Sequence, residues 1–397
     1  MISGAGTSLV AQIVLQFGRT AKLGCRSSED VLELARAHRV IGTEKRTWSF
    51  ATTRNGKVAL VSPPPRYLYR GQSFRRLPCY PVIYRHLRFP GRFLRHHSQA
   101  DSAKIVADIA KTFRYFSELK KHPIAKWAKE QGLILPEGAL AQHYGISTAF
   151  IDMTESIEVA LFFATHRREG DQWIACERGE GQGVLYRVDR YAMDARFAPR
   201  FEPVGSQPFE RPFRQRAWTC ELLMGECFEQ YPKMEAIVFE HDAELATEIR
   251  EMAEAEGELF PRDALADVAE RVNRSGVLTE HDVAAAARHL GLAYPKHLLG
   301  DMRTLLSRAG CLVLQEPPAV LARDELLELE RKYATALPTW HQVVARDLEQ
   351  IVVRGGGRSG RPLEWKTIDL SAVQGECDLY ELGAPRWWLK RFPKPAS

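Results

Sequence analysis

No stretch of this 397-residue chain approaches the run of about 18 apolar residues that a membrane-crossing helix needs. A membrane partner is therefore not expected. No Cys-x-x-Cys pair occurs among the seven cysteines, which stand apart as Cys25, Cys79, Cys176, Cys220, Cys227, Cys311 and Cys377. That spacing argues against a zinc knuckle and a disulfide framework, so a reducing, cytoplasmic setting is expected, with no metal. The apolar patch near the N-terminus has no basic residue ahead of it, so it lacks the n-region of a signal peptide. The Gly-rich run RGGGRSGRP (354–362) lacks a following Lys-Ser/Thr and a helix. It reads as a mobile loop or linker and not as a phosphate loop.

One absence is local. No carboxylate occurs from Lys45 through Ala100, while twelve Lys and Arg do: Lys45, Arg46, Arg54, Lys57, Arg66, Arg70, Arg75, Arg76, Arg85, Arg88, Arg92 and Arg95. A field of one sign attracts an anion, whether a dinucleotide pyrophosphate, a nucleic acid or an acidic protein. A solvated basic face is the plain alternative.

Hydrophobic content of 45% and charged content of 26% are ordinary for a globular protein. The length and patterning suggest a lead-in region over 1–60, a main domain over 61–274 and a helical accessory region over 275–397. Within it, the small helical unit over 279–315 has the look of a winged helix or accessory module. Helices are expected over 27–39, capped by Ser28, and over 102–130 as one amphipathic helix. Further helices are expected at 241–257, 259–273 after Pro261, 279–291 with a T-x-x-D capping box, and 323–335. Strands are expected at 57–62, 67–72, 183–189, 236–240 and 311–315. The end RWWLKRF (386–392) is aromatic and basic.

The most informative stretch is HYGISTAFIDMTESIEVALFFA (143–164). His143, Tyr144, Ser147, Thr148, Asp152 and Thr154 crowd before an apolar run. Thr148–Ile151 reads as a short buried strand, with Thr154 or Ser156 capping the helix that follows. Strand, polar corner and helix N-terminus in succession often form a ligand-binding edge. The plain alternative is a turn whose polar groups only cap backbone.

Three pieces in order resemble the FRG domain. They are Tyr69-Arg70-Gly71-Gln72, the segment Gln142–Ala164 just described, and Leu259-Phe260-Pro261. The resemblance covers roughly 60–270. The chain departs from the family pattern at Ser147, Ala149 and Met153, and 216–228 aligns poorly, with Glu221 and Glu226 there instead. The resemblance implies an α+β fold similar to ADP-ribosyltransferases: a split, mostly antiparallel β core with flanking helices and NAD in the cleft; it says nothing of either end, and the mainly helical C-terminal region rests on the patterning above.

It implies in turn an NAD-consuming enzyme, an ADP-ribosyltransferase or NAD glycohydrolase, with a role as a toxin or antiviral defence effector. Such chemistry passes through an oxocarbenium-like state. A guanidinium, here Arg70, suits the pyrophosphate. Gly71 allows close backbone approach to the nicotinamide amide, and Tyr69 or Tyr144 supplies an aromatic face. Gln72, Thr148, Asp152 and Thr154 complete the implied NAD-binding set. Glu221 or Glu226 supplies the carboxylate, with Glu155 and Asp152 as other possibilities, and His143 joins the catalytic group. Arg70 paired to Asp152 as an internal strut is the structural alternative. A catalytically silent nucleotide-binding sensor on the same fold, or a nucleic-acid-binding protein using segment 45–100, is the functional one.

Overall fold

Alternating apolar residues build the sheet at the centre of the fold. The computed structural model describes residues 21–38, 66–75, 78–87, 98–130, 135–189, 201–204, 209–290, 298–334, 352–354 and 365–367, apart from Gly225, Pro232, Lys233, Glu256, Arg262, Pro317 and Pro318. In chain order its first elements are β1 (Ala21–Arg26), α1 (Ser28–His38), β2 (Tyr67–Gln72), α2 (Gln99–Leu119), α3 (Pro123–Glu130), α4 (Glu137–His143), β3 (Phe150–Thr154) and α5 (Ile157–Thr165). Then come β4 (His166–Glu169), β5 (Gln172–Ala175), β6 (Gln182–Asp189), β7 (Phe201–Pro203), α6 (Glu210–Arg214), β8 (Ala217–Glu221), β9 (Met234–Glu240) and α7 (Ala243–Glu254). The C-terminal elements are α8 (Ala264–Ser275), β10 (Val277–Thr279), α9 (Glu280–His289), α10 (Leu298–Arg308), β11 (Leu312–Leu314) and α11 (Arg323–Ala334).

The fold is α+β, as expected. A seven-stranded sheet runs β1-β9-β6-β2-β3-β8-β7. It is antiparallel except where β1 lies parallel to β9. β1, which lies within the expected lead-in region, therefore belongs to the main sheet. Between β2 and β3 the register holds a single pair, Tyr69 with Thr154. On its other side β2 stays paired with β6 from Tyr67–Asp189 to Gln72–Val184. The sheet thus consists of two parts, β1-β9-β6-β2 and β3-β8-β7, joined at one point.

Strand alternation sorts the core. Leu68, Ile151, Met153, Val184, Tyr186, Trp218, Cys220 and Val238 share one buried cluster. On the opposite face Tyr69, Leu185, Ile237 and Phe239 pack against α5, whose Ile157, Val159, Ala160, Leu161, Phe162 and Ala164 are all buried. A helix apolar on every side must be covered on every side. Here the cover is the sheet, α7 and the rings of Trp173 and Phe260, which pack on Phe163 of the helix.

Several expected boundaries move. The helix expected over 102–130 is two, α2 and α3, parted at Lys120–His122 before Pro123. Proline lacks the N–H and clashes with the preceding turn, so it starts a helix and cannot continue one. Ser27, and not Ser28, caps α1: its hydroxyl accepts from Asp30 N, while Asp30 Oδ2 accepts from Ser27 N. β3 runs from Phe150 to Thr154, two residues later than expected, and Ser156 caps α5. The Thr279–Asp282 capping box is present at α9. The C-terminal unit buries Leu278, Val283, Ala286, Ala287 and Leu306 in one cluster with Ile105, Val106 and Ile109 of α2. The expected strand 57–62, the linker 354–362 apart from Arg354, and the RWWLKRF end lie outside the described residues.

Candidate functional site

The junction of β2 and β3 gathers most of the polar residues singled out above. Arg70 sits on β2 opposite Tyr186 of β6, so its side chain leaves the sheet on the face of Leu68 and Met153. Asp152 pairs with Thr219 of β8 and faces the other way. The two residues nevertheless touch. Arg70 Nη1 donates to the main-chain oxygen of Asp152 at 2.8 Å, where β2–β3 pairing has stopped. The expected strut exists, but it ends on a carbonyl and not on the carboxylate. Nε of Arg70 is buried without a partner.

The other residues of the YRGQ motif also serve the junction. A Cβ added to Gly71 would lie 1.7 Å from the carbonyl oxygen of Ala160 and 2.7 Å from Ala164 N. The close approach that this glycine permits is therefore made by α5 and not by a ligand. This corrects the role expected of Gly71. Tyr69 is buried in the α5 cluster. Gln72 Nε2 donates to Cys79 Sγ at 3.1 Å, and its Oε1 is buried without a partner. Below them, Glu229 accepts from Cys79 N on both oxygens at 2.9 Å and from Tyr186 OH at 3.0 Å. Burial pushes the Glu229 carboxyl upward, against the hydrogen bonds from Cys79 and Tyr186 that favour its charged form.

On Asp152's own face a second network forms. Thr148 Oγ1 donates to Gln142 Oε1 at 2.7 Å, and Gln142 Nε2 donates to Asp152 Oδ2 at 3.1 Å. His143 Nε2 lies 3.5 Å from Asp152 Oδ1. The other ring nitrogen, Nδ1, is 3.2 Å from Gln215 Oε1, and Gln215 Nε2 donates to Leu259 O at 3.0 Å. Thr154 Oγ1 donates to the main-chain oxygen of Gln215 at 2.8 Å. Gln142, Thr148, Thr154, His143 and Asp152 are thereby brought together. So is Leu259, the first residue of the Leu-Phe-Pro piece. Three buried polar atoms here have no hydrogen-bond partner: His143 Nε2, Asp152 Oδ1 and Thr219 Oγ1.

The remaining expected residues divide. Glu221 lies two residues beyond Thr219 on β8, opposite Phe150, so it shares the face of Asp152. Glu226 does not join the group: its Oε2 accepts from Leu223 N at 2.9 Å and closes a local turn. Glu155 is buried beside Trp218 Nε1, at 3.4 Å, and Arg216. Tyr144 is a core residue, in one cluster with Ala141, Ile146 and Ala217. Its hydroxyl donates to Asp263 Oδ2 at 2.6 Å, and Arg211 lies over its ring. Burial and the Asp263 charge hold its phenol well above the usual range.

Two members of the network escaped the sequence reading. Thr219 stands as a polar residue between Trp218 and Cys220 in a strand otherwise buried, and that was its signal. Gln215 offered none, since it lies in a turn before Arg216, whose φ is 45°. Of the basic segment, the described Arg66, Arg75 and Arg85 have protein partners in Asp189, Gln182 and Tyr80 O. Lys45, Arg46, Arg54, Lys57, Arg76, Arg88, Arg92 and Arg95 lie outside the described residues. No helix among the described residues is long and apolar enough to cross a membrane.

Comparison with known proteins gives one match. Residues 65–172 fit the family model described as the FRG domain. That span holds the YRGQ strand, the corner and α5. No curated protein and no solved structure matches the chain.

Proposed function

The chain carries an FRG domain, and from that premise we propose that it is an NAD-consuming enzyme, an ADP-ribosyltransferase or NAD glycohydrolase, with its site where β2 and β3 part. One observation carries this reading. Polar atoms without partners collect at that junction: Arg70 Nε on one side, and His143 Nε2, Asp152 Oδ1 and Thr219 Oγ1 on the other. Native proteins pair nearly all buried polar groups, so such a concentration points to a polar ligand. In the reaction the bond from ribose C1′ to nicotinamide breaks and nicotinamide leaves. Water or an acceptor nucleophile then bonds to C1′ and gives up its proton. A carboxylate near the ribose stabilises the positive charge that develops. Glu221 is the better placed of the two expected carboxylates, because it shares the face of Asp152. No disulfide joins Cys79, Cys176, Cys220, Cys227 or Cys311, which accords with a cytoplasmic defence or toxin role.

The test is incubation with NAD labelled in the adenylate part, with and without cell lysate. Free nicotinamide and labelled acceptors are expected. Glu221→Gln is expected to abolish turnover while NAD still binds, because the lost interaction belongs to the transition state. A Glu221→Gln enzyme as active as wild type overturns this assignment.

A second reading is a nucleotide-binding module without turnover. It is favoured by the structural use of Gly71, Arg70 Nη1 and Glu226. NAD binding without nicotinamide release would select it. Nucleic-acid binding through segment 45–100 would instead show a steep fall of affinity with salt.

A further inference from the structure

One proton of the proposed reaction has no destination yet. When water or an alcohol bonds to ribose C1′, its O–H proton must pass to a base. Asp152 stands open to receive it. Its side chain keeps 38% of its surface exposed, although Oδ1 is covered where it faces His143 Nε2 at 3.5 Å. The open surface therefore lies on the Oδ2 side. Gln142 Nε2 takes one lone pair of Oδ2 at 3.1 Å, and a carboxylate oxygen carries two. The other is left for a molecule that arrives from solvent.

Neighbouring elements hold this carboxylate in place. Thr148 Oγ1 donates to Gln142 Oε1, which turns the amide NH2 of Gln142 toward Asp152. Arg70 Nη1 holds the main-chain oxygen of Asp152 at 2.8 Å. Side chain and backbone are thus both fixed, as a base that must meet its proton at one position requires.

A second carboxylate shares the face. β3 and β8 pair Asp152 with Thr219 and Phe150 with Glu221, so Asp152 and Glu221 are diagonal neighbours. Such neighbours stand about 7–8 Å apart at Cα, and their side chains can flank one reacting carbon. Glu221 is half-buried, and its carboxylate has no partner among the described residues. Thr219 lies next to both on the same face, wholly buried, and its hydroxyl has no partner, so the floor under the two carboxylates is polar.

We propose that Asp152 is a catalytic residue whose Oδ2 takes the proton of an acceptor hydroxyl, while Glu221 stabilises the ribose cation. The acceptor oxygen bonds to C1′. The bond from C1′ to nicotinamide breaks, its electron pair leaves with nicotinamide, and the acceptor proton passes to Oδ2. This deepens the NAD reading and rests on it.

Azide separates the two roles, because it bonds to C1′ as an anion and has no proton to give up. Nicotinamide release from NAD by the full chain is measured in water, in dilute methanol and with azide. In Asp152→Asn the reactions with water and methanol should fall about 10²–10⁴-fold, while transfer to azide stays within about tenfold of wild type. Asp152→Glu keeps a carboxylate and should keep part of the water reaction. Glu221→Gln should lose all three reactions, since every acceptor needs the ribose cation. An Asp152→Asn chain that loses azide transfer as fully as the water reaction, or that loses neither, overturns the proposal while the NAD reading stands. So does an Asp152→Asn chain that no longer binds NAD, because the residue then holds the ligand or the fold. If the wild-type chain releases no nicotinamide under any of the three conditions, both fall.

Discussion

Arg70 and Gly71 show how one short motif divides its work between neighbours. The guanidinium spans the point where β2 and β3 separate and takes a main-chain carbonyl. Its partner persists whatever side chain stands at 152. Arg70→Lys should therefore lose about 1–3 kcal/mol of stability, and Asp152→Asn should not restore it. Urea midpoints of the two single variants and the double variant check this, and a rescue by Asp152→Asn would place the partner on the carboxylate after all. Gly71→Ala should cost more, because the added carbon meets backbone atoms of α5 that have nowhere to move. A loss of more than about 3 kcal/mol is expected, read as failure to fold or a greatly lowered melting temperature.

At the scale of elements, α8 is tied to α4 through a single carboxylate. Asp263 Oδ1 caps α8 by accepting from Leu265 N at 3.0 Å and Ala266 N at 3.1 Å. Its Oδ2 accepts from the buried Tyr144 hydroxyl of the segment after α4. Asp263→Asn keeps the cap through its one oxygen and turns an NH2 donor to the phenol oxygen, so a small loss is expected. Asp263→Ala removes the cap and strands the hydroxyl in the core, for about 2–4 kcal/mol in all. Thermal unfolding of the two variants separates these effects, and equal losses would mean that the cap contributes nothing. The Gln142–Asp152 and Gln215–His143 contacts link α4 to β3 and to the turn before β8 in the same manner. The corner is held from several elements at once, which suits a site that must keep its geometry.

At the scale of the whole molecule, buried histidines set a limit on acid stability. Burial, aided by Lys332, lowers His122 to about 4, and burial, aided by Arg250, lowers His166 to about 4. The ordinary value is about 6.5. Between these values the unfolded chain binds more protons than the folded one, so stability is full above about pH 6.5 and falls as the pH drops toward 4. Each ring should cost about 2 kcal/mol on going from pH 8 to pH 5. Urea unfolding across that range should show the decline, and replacing His166 by Gln should flatten part of it. His122 lies where α11 meets the rest of the fold, with Tyr333 at 5.3 Å and Phe209 at 5.9 Å between ring centres. Loosening near α11 is therefore expected first, visible as hydrogen exchange in 323–334.

The sequence alone determined what depends on near neighbours. Short β-forming segments between turn residues placed β2, β6 and β9, and capping residues placed the starts of α5 and α9, because both express the local fit of side chains to backbone. The YRGQ, QHYG and VALFFA pieces were legible as one domain before any geometry was known. Tertiary structure decided which face each residue took and what it met there. Strand alternation set Arg70 and Asp152 on opposite faces, and the break in β2–β3 pairing still let them touch through a carbonyl. Only the packing of α5 on β2 explains Gly71, and only the register of β8 sets Glu221 on the sheet face of Asp152. Gln215 and Thr219 enter for the same reason: hydrogen bonds between residues some 70 positions apart leave no periodic trace in the chain, because their partners are chosen by the fold and not by the neighbours in sequence.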